Sequence, residues 1–190
     1  MNKREQIITT ALNLFYSKGL HAVGINEILA VSGIAKKTLY NHFASKDELI
    51  LACLATRDKN FNNWLEQVCD KQSALGVANG LFKGLESWFN SGVPELGDFN
   101  GCFFINAAAE YPLAAHTIAK QCKAHKQAVF KIILNALLAT PQLKNNKAKA
   151  ENVAQILFTL KEGLICQARV MHTQPLTMPS TALLRHIIQS

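Results

Sequence analysis

The chain has 190 residues, 49% of them hydrophobic and 17% charged, which is enough apolar mass for a substantial core and too little charge for a disordered polyelectrolyte. A formal net charge of +7 and a pI near 9.2 point towards a polyanionic partner. No apolar run approaches the roughly 20 residues of a membrane span, and the opening MNKREQ lacks a secretory signal's apolar stretch, so a soluble cytoplasmic protein without a membrane partner is expected.

Nearly every segment has helical periodicity, so the expected fold is all-α. Asn2 and Glu5 have capping-box spacing, and Ile8, Ala11, Leu12 and Phe15 form an apolar stripe that runs until Lys18-Gly19. A second helix is expected over Ile25 to Ser32, with Ile25, Ile28 and Leu29 inward. Gly33 permits the positive φ of a tight turn, Ile34 plugs the small core, and a third helix follows from about Lys36 to Phe43. Two short helices about a glycine turn, the second opened by two lysines, predict a helix-turn-helix that enters DNA. The plainer alternative is a three-helix unit with a basic end.

Ser45 and Glu48 read as a second capping box at the start of a long fourth helix that ends near Cys69. A fifth, from about Ser73 to Asn90, carries Gly76, Gly80 and Gly84 four apart on one face, a pattern for close helix packing. SGVPELGDFNG, Ser91 to Gly101, reads as a loop. A short helix from Cys102 to about Tyr111 stops at Pro112, and the next runs from about Leu113 to Ala139 before Thr140-Pro141. The last two helices are expected at Lys147 to His172 and Pro179 to Ile188, separated by Thr173-Gln174-Pro175-Leu176.

The stretch from Gly33 through Thr38-Leu39-Tyr40 and Phe43 to Ser45-Lys46-Asp47-Glu48-Leu49 resembles the TetR/AcrR family of bacterial transcriptional regulators, with a match over roughly Arg4 to Leu54. GCFFINAAAEYP, Gly101 to Pro112, looks like a segment of one branch of that family. The resemblance implies about nine helices, a DNA-binding domain over 1–46, and a regulatory domain over 47–190 that binds an effector. It also implies a homodimer through the last two helices, repression relieved by a small molecule, and no cofactor. Departures are Ala35 where Ser or Thr caps the recognition helix, at a cost of about 1 kcal/mol, Val23-Gly24 where a hydroxyl opens the second helix, Lys37 where a small residue is common, and Leu29 for alanine.

Lys36, Lys37 and Asn41 are expected on the exposed side of the third helix, with Leu39 and Phe43 inward. Lysine donates to guanine O6 and N7, and asparagine pairs with adenine. The resemblance carries backbone contacts to Tyr40 and His42, for which a solvated helix edge is the alternative. Thr38 and Lys46 complete the DNA-binding set, Lys46 meeting a phosphate at a helix start or serving only as a solvated cap. Two-fold pairing would set recognition helices roughly 34 Å apart on a pseudo-palindromic double-stranded operator.

Candidate effector walls are Trp64, Trp88, Phe89, Phe103, Phe104 and Tyr111, with Asn106, Glu110 and His125 as orienting polar groups; plain core is the alternative for the aromatics. One rival is a metal sensor using Glu110, His116, Cys122 and His125, and another is a thiol switch at Cys102 or Cys122. The five cysteines, Cys53, Cys69, Cys102, Cys122 and Cys166, include no CxxC pair and read as buried reduced thiols. No nucleophile elbow, phosphate loop or HExxH occurs, so no enzymatic activity is expected. A helical interaction protein that ignores DNA is the remaining rival.

Overall fold

The computed structural model describes residues 2–171 and 178–189. Among them are nine α-helices: α1 Lys3–Lys18, α2 Ile25–Ser32, α3 Lys36–His42, α4 Lys46–Cys69, α5 Ala74–Phe89, α6 Phe103–Glu110, α7 Thr117–Leu138, α8 Lys147–Met171 and α9 Thr181–Gln189. A single 3-10 turn, Pro94–Leu96, lies inside the long loop before α6. No strand is formed among the described residues, and none of their helices is long and apolar enough to cross a membrane. The expected break at Thr173 to Leu176 and the terminal His172 lie outside the described residues.

The chain divides into two compact units, residues 1–59 with 102–125, and residues 60–101 with 126–190. In the first, the Asn2/Glu5 box closes reciprocally at 2.9 and 3.0 Å, which fixes the start of α1. Gly19 ends that helix at φ 97°, and Gly33 turns α2 into α3 from the left-handed region at φ 66°. Ile7, Ile8, Ala11, Phe15, Ile28 and Leu39 are among the residues buried in this unit, and the Gln6 amide donates to the Ser32 carbonyl at 2.9 Å, tying α1 to the end of α2. The box expected at Ser45 is offset by one residue. Ser45 Oγ accepts from Glu48 N as anticipated, but the Glu48 carboxylate accepts from Ala44 N at 2.7 Å.

Helix α7 begins at Thr117, four residues later than the periodicity suggested. His116 supplies the cap, its Nδ1 accepting from Ile118 N at 3.3 Å and its carbonyl from Lys120 N at 3.0 Å, so residues 113–116 form a turn after Pro112. Helix α9 likewise starts late, because Ser180 Oγ caps Leu183 N.

In the second unit the glycine face of α5 lies on the last turns of α4. A Cβ placed on Gly80 would sit 2.1 Å from the Val68 carbonyl oxygen, and one on Gly84 would be 3.0 Å from the Val68 side chain. α5 also packs on α8 and α9. Phe61, Trp64, Trp88, Phe89 and Phe99 form an aromatic nest with neighbouring ring centroids 4.9 to 6.1 Å apart.

Candidate nucleic-acid interface

Residues 1–46 contain six lysines and arginines against two glutamates, so positive charge is concentrated where the recognition helix lies. That helix, α3, has two distinct sides. Leu39 and the following Phe43 are 0% and 1% exposed, anchoring it to the core, while Lys36, Lys37, Tyr40, Asn41 and His42 are exposed and Thr38 is half-buried. No acidic residue occupies its first turn, so its free backbone N–H groups and two ammonium groups present one sign of charge to solvent.

Ala35 caps α3 with its carbonyl alone, accepting from Thr38 N at 2.9 Å and Leu39 N at 3.2 Å; no side-chain oxygen reaches the free N–H groups. Lys46, at the first residue of α4, is half-buried, and its ammonium lies 5.8 Å from the Phe15 ring centroid. The stem of this lysine covers apolar surface while its head stays at the rim. Arg4, which the sequence reading did not single out, stacks its guanidinium over Phe43 at 5.2 Å. A basic residue opening α1 beside an aromatic at the end of the recognition helix was the available signal for it.

The residues expected to hold an effector are divided between the units. Trp64, Trp88 and Phe89 belong to the aromatic nest of the second unit. Within the first unit, Phe104 stacks on the His125 ring with centroids 3.5 Å apart and planes 8° from parallel, and His125 Nδ1 lies 2.6 Å from the Asp58 carboxylate. Phe103 meets Tyr16 edge-on at 5.9 Å, and Asn106 is half-buried on α6. Glu110 accepts from the backbone N–H of Leu20 at 2.7 Å and of His21 at 2.6 Å. Tyr111 donates to the Asp47 carboxylate at 3.3 Å, and burial, with Asp47 next, pushes its phenol up to about 12.

The residues of the metal alternative are engaged apart from one another. Glu110 is on the α1–α2 turn, His116 Nε2 is 3.4 Å from Asp47 and His125 is on Asp58. No group of three metal-ligating side chains forms among the described residues. Cys102 and Cys122, the thiol-switch candidates, are buried together with Cys53 and Cys69, whereas Cys166 is exposed. Burial pushes the Cys53 thiol up and the Cys69 thiol up to about 12, the opposite of what a reactive thiolate requires.

Residues 7–53, spanning α1 to the start of α4, match the family model described as bacterial regulatory proteins, tetR family. Over 65 residues the chain is 38% identical to the HTH-type transcriptional activator FasR of Mycolicibacterium smegmatis, covering 34% of this chain and 30% of that one. Over 86 residues it is 30% identical to the HTH-type transcriptional repressor KstR2 of the same species, covering 43% of this chain and 40% of that one. These alignments therefore span less than half the length of either relative. Among solved structures, SCO4454, a TetR-family transcriptional regulator from Streptomyces coelicolor, shares the fold with a TM-score of 0.72 at 26% identity, over 98% of this chain and 90% of that one. Residues 7–53 thus carry the helix-turn-helix of the TetR family of transcriptional regulators, and the whole chain shares the fold of a member of that family.

Proposed function

We propose that the protein is a homodimeric repressor that binds a pseudo-palindromic operator and is released from it by a small molecule. The observation that carries this reading is the two-sided character of α3, with Leu39 buried and Lys36, Lys37 and Asn41 exposed. Lys36 and Lys37 then meet base edges, Asn41 pairs with an adenine, and Thr38, Tyr40, His42 and Lys46 fix the register on phosphates. The reading domain is 1–46 and the regulatory domain 47–190.

Pairing is supported by an unpartnered stripe along α8. Ile156 is 41%, Val170 69% and Met171 54% exposed. A shallow groove of about 670 Å³ runs past Leu160, Gly163 and Gln167 on the same helix, and Leu183 of α9 is also exposed. Apolar surface arranged this way fits a second copy of the same two helices.

Within the first unit, effector contacts are assigned to Phe103, Phe104, Asn106 and His125 on α6 and α7; Trp64, Trp88 and Phe89 are separate candidates within the second. A ligand releases the operator only if it binds the DNA-incompetent arrangement more tightly. Of the two relatives, one is an activator and the other a repressor; release of the operator by the ligand makes this protein a repressor.

Selection of bound duplexes from random DNA tests the reading. It predicts two inverted half-sites with centres about one DNA turn apart or slightly more. Recovery of no enriched sequence, or of a single unpaired half-site, contradicts it.

A further inference from the structure

Helix α4 carries a positive charge into the interior of the first compact unit. Arg57 is 4% exposed, and its guanidinium carbon lies 4.5 Å from the centroid of the Tyr16 ring. Burial pulls its pKa below the ordinary guanidinium value, and Tyr16 and Cys102 offset this in part; a phenol and a thiol are ordinarily neutral near pH 7. Arginine stays ionised even so, and a full opposite charge beside it would offset the cost of keeping a cation in such a place. The surroundings are flat rings. Tyr16 meets Phe103 edge-on, Phe103 meets Phe104 edge-on at 6.3 Å, and Phe104 stacks on His125. His125 in turn pairs with Asp58, the neighbour of Arg57 on α4. The cluster therefore has a guanidinium at one end, an imidazole held by a carboxylate at the other, and three benzenoid rings between them. The Asp58 side chain is 33% exposed, which gives the cluster an edge on solvent.

All these groups belong to the first compact unit. We propose that the ligand of this unit is an aromatic monocarboxylate, its carboxylate forked on the Arg57 guanidinium and its ring seated against Tyr16, Phe103 and Phe104. The planar guanidinium matches a carboxylate with two parallel N–H donors, and charge-assisted bonds of this kind are roughly twice as strong as neutral ones. A phosphate dianion fits less well. One guanidinium neutralises one charge, and Asp58 at the far wall repels the second. Arg57 thereby joins Phe103, Phe104 and His125, and the ligand class rests on their assignment as effector contacts.

The test titrates the full-length protein by calorimetry with benzoate, phenylacetate and cinnamate, and with their amides, which keep the shape and lack the charge. At least one carboxylate should bind about tenfold or more tightly than its amide, and by a similar factor more tightly than acetate, which brings no ring. Arg57→Gln should erase the preference, leaving acid and amide within about twofold of each other, and Arg57→Lys, which keeps the charge without the fork, should fall between. The comparison of acid with amide needs no variant and decides the matter if Arg57→Gln folds poorly. A wild type that binds none of the three acids, or binds acid and amide equally, overturns the proposal, as does a folded Arg57→Gln that keeps the full preference. The duplex selected from random DNA separates the site from its use. A carboxylate that binds through Arg57 and releases the duplex supports both readings. One that binds through Arg57 and leaves the protein on the duplex supports the site and contradicts its role in release. Release by the amides alone, undiminished in Arg57→Gln, supports an effector and overturns the carboxylate class.

Discussion

Ala35 opens the recognition helix without a side-chain oxygen, and its backbone, at φ −64° and ψ 142°, is already in the extended region from which a serine or threonine would cap. Ala35→Ser should therefore raise stability by about 1 kcal/mol, read as a higher urea midpoint at unchanged slope; an unchanged midpoint would mean that the hydroxyl finds no free N–H there. This weakness was visible in the sequence because capping is local, with the donor two or three residues from the cap. The role of Glu110 was not visible. Its partners lie 89 and 90 positions away, and nothing in GCFFINAAAEYP distinguishes a carboxylate reserved for two distant amides from one facing a ligand.

At the scale of elements, the glycine repeat of α5 has one structural duty. Gly80 leaves no space for a methyl group, because the contact would be with the Val68 backbone and not with a side chain that can turn away. Gly80→Ala should cost about 1–3 kcal/mol through displacement of α5 from α4, despite alanine's better helix propensity. The control is Gly163→Ala in α8, where a Cβ meets nothing within 4 Å and stability of the subunit should hold or rise; equal effects at the two sites would contradict the close-packing account. Helix periods, the Gly19 and Gly33 stops and the four-residue glycine spacing could all be read from the chain, since each depends on neighbours within a turn or two. The start of α7 could not. Pro112 shows only where helix is interrupted, whereas the restart depends on the ring nitrogen of His116 accepting from Ile118 N, a rotamer choice that no periodicity records. For the same reason the effector residues were grouped by composition, and the structure distributes them over two compact units.

For the whole molecule, reading two inverted half-sites requires a dimer whose subunits each present one lysine-led helix. Val170 is 69% exposed in the single subunit, so Val170→Glu should change subunit stability by no more than about 0.5 kcal/mol while shifting the protein from dimer to monomer in light scattering at micromolar concentration. A dimer that survives the substitution would move the interface away from α8. The central claim concerns α3 itself. Its most direct test is the affinity of wild type, Lys36→Ala, Lys37→Ala and the double variant for the selected duplex and for a scrambled duplex of equal length, measured across a salt series. Each lysine at a base edge should contribute about 1–3 kcal/mol of preference for the selected sequence, so the double variant should bind both duplexes almost equally. Unchanged affinity and unchanged preference in the double variant would show that this helix does not read the DNA.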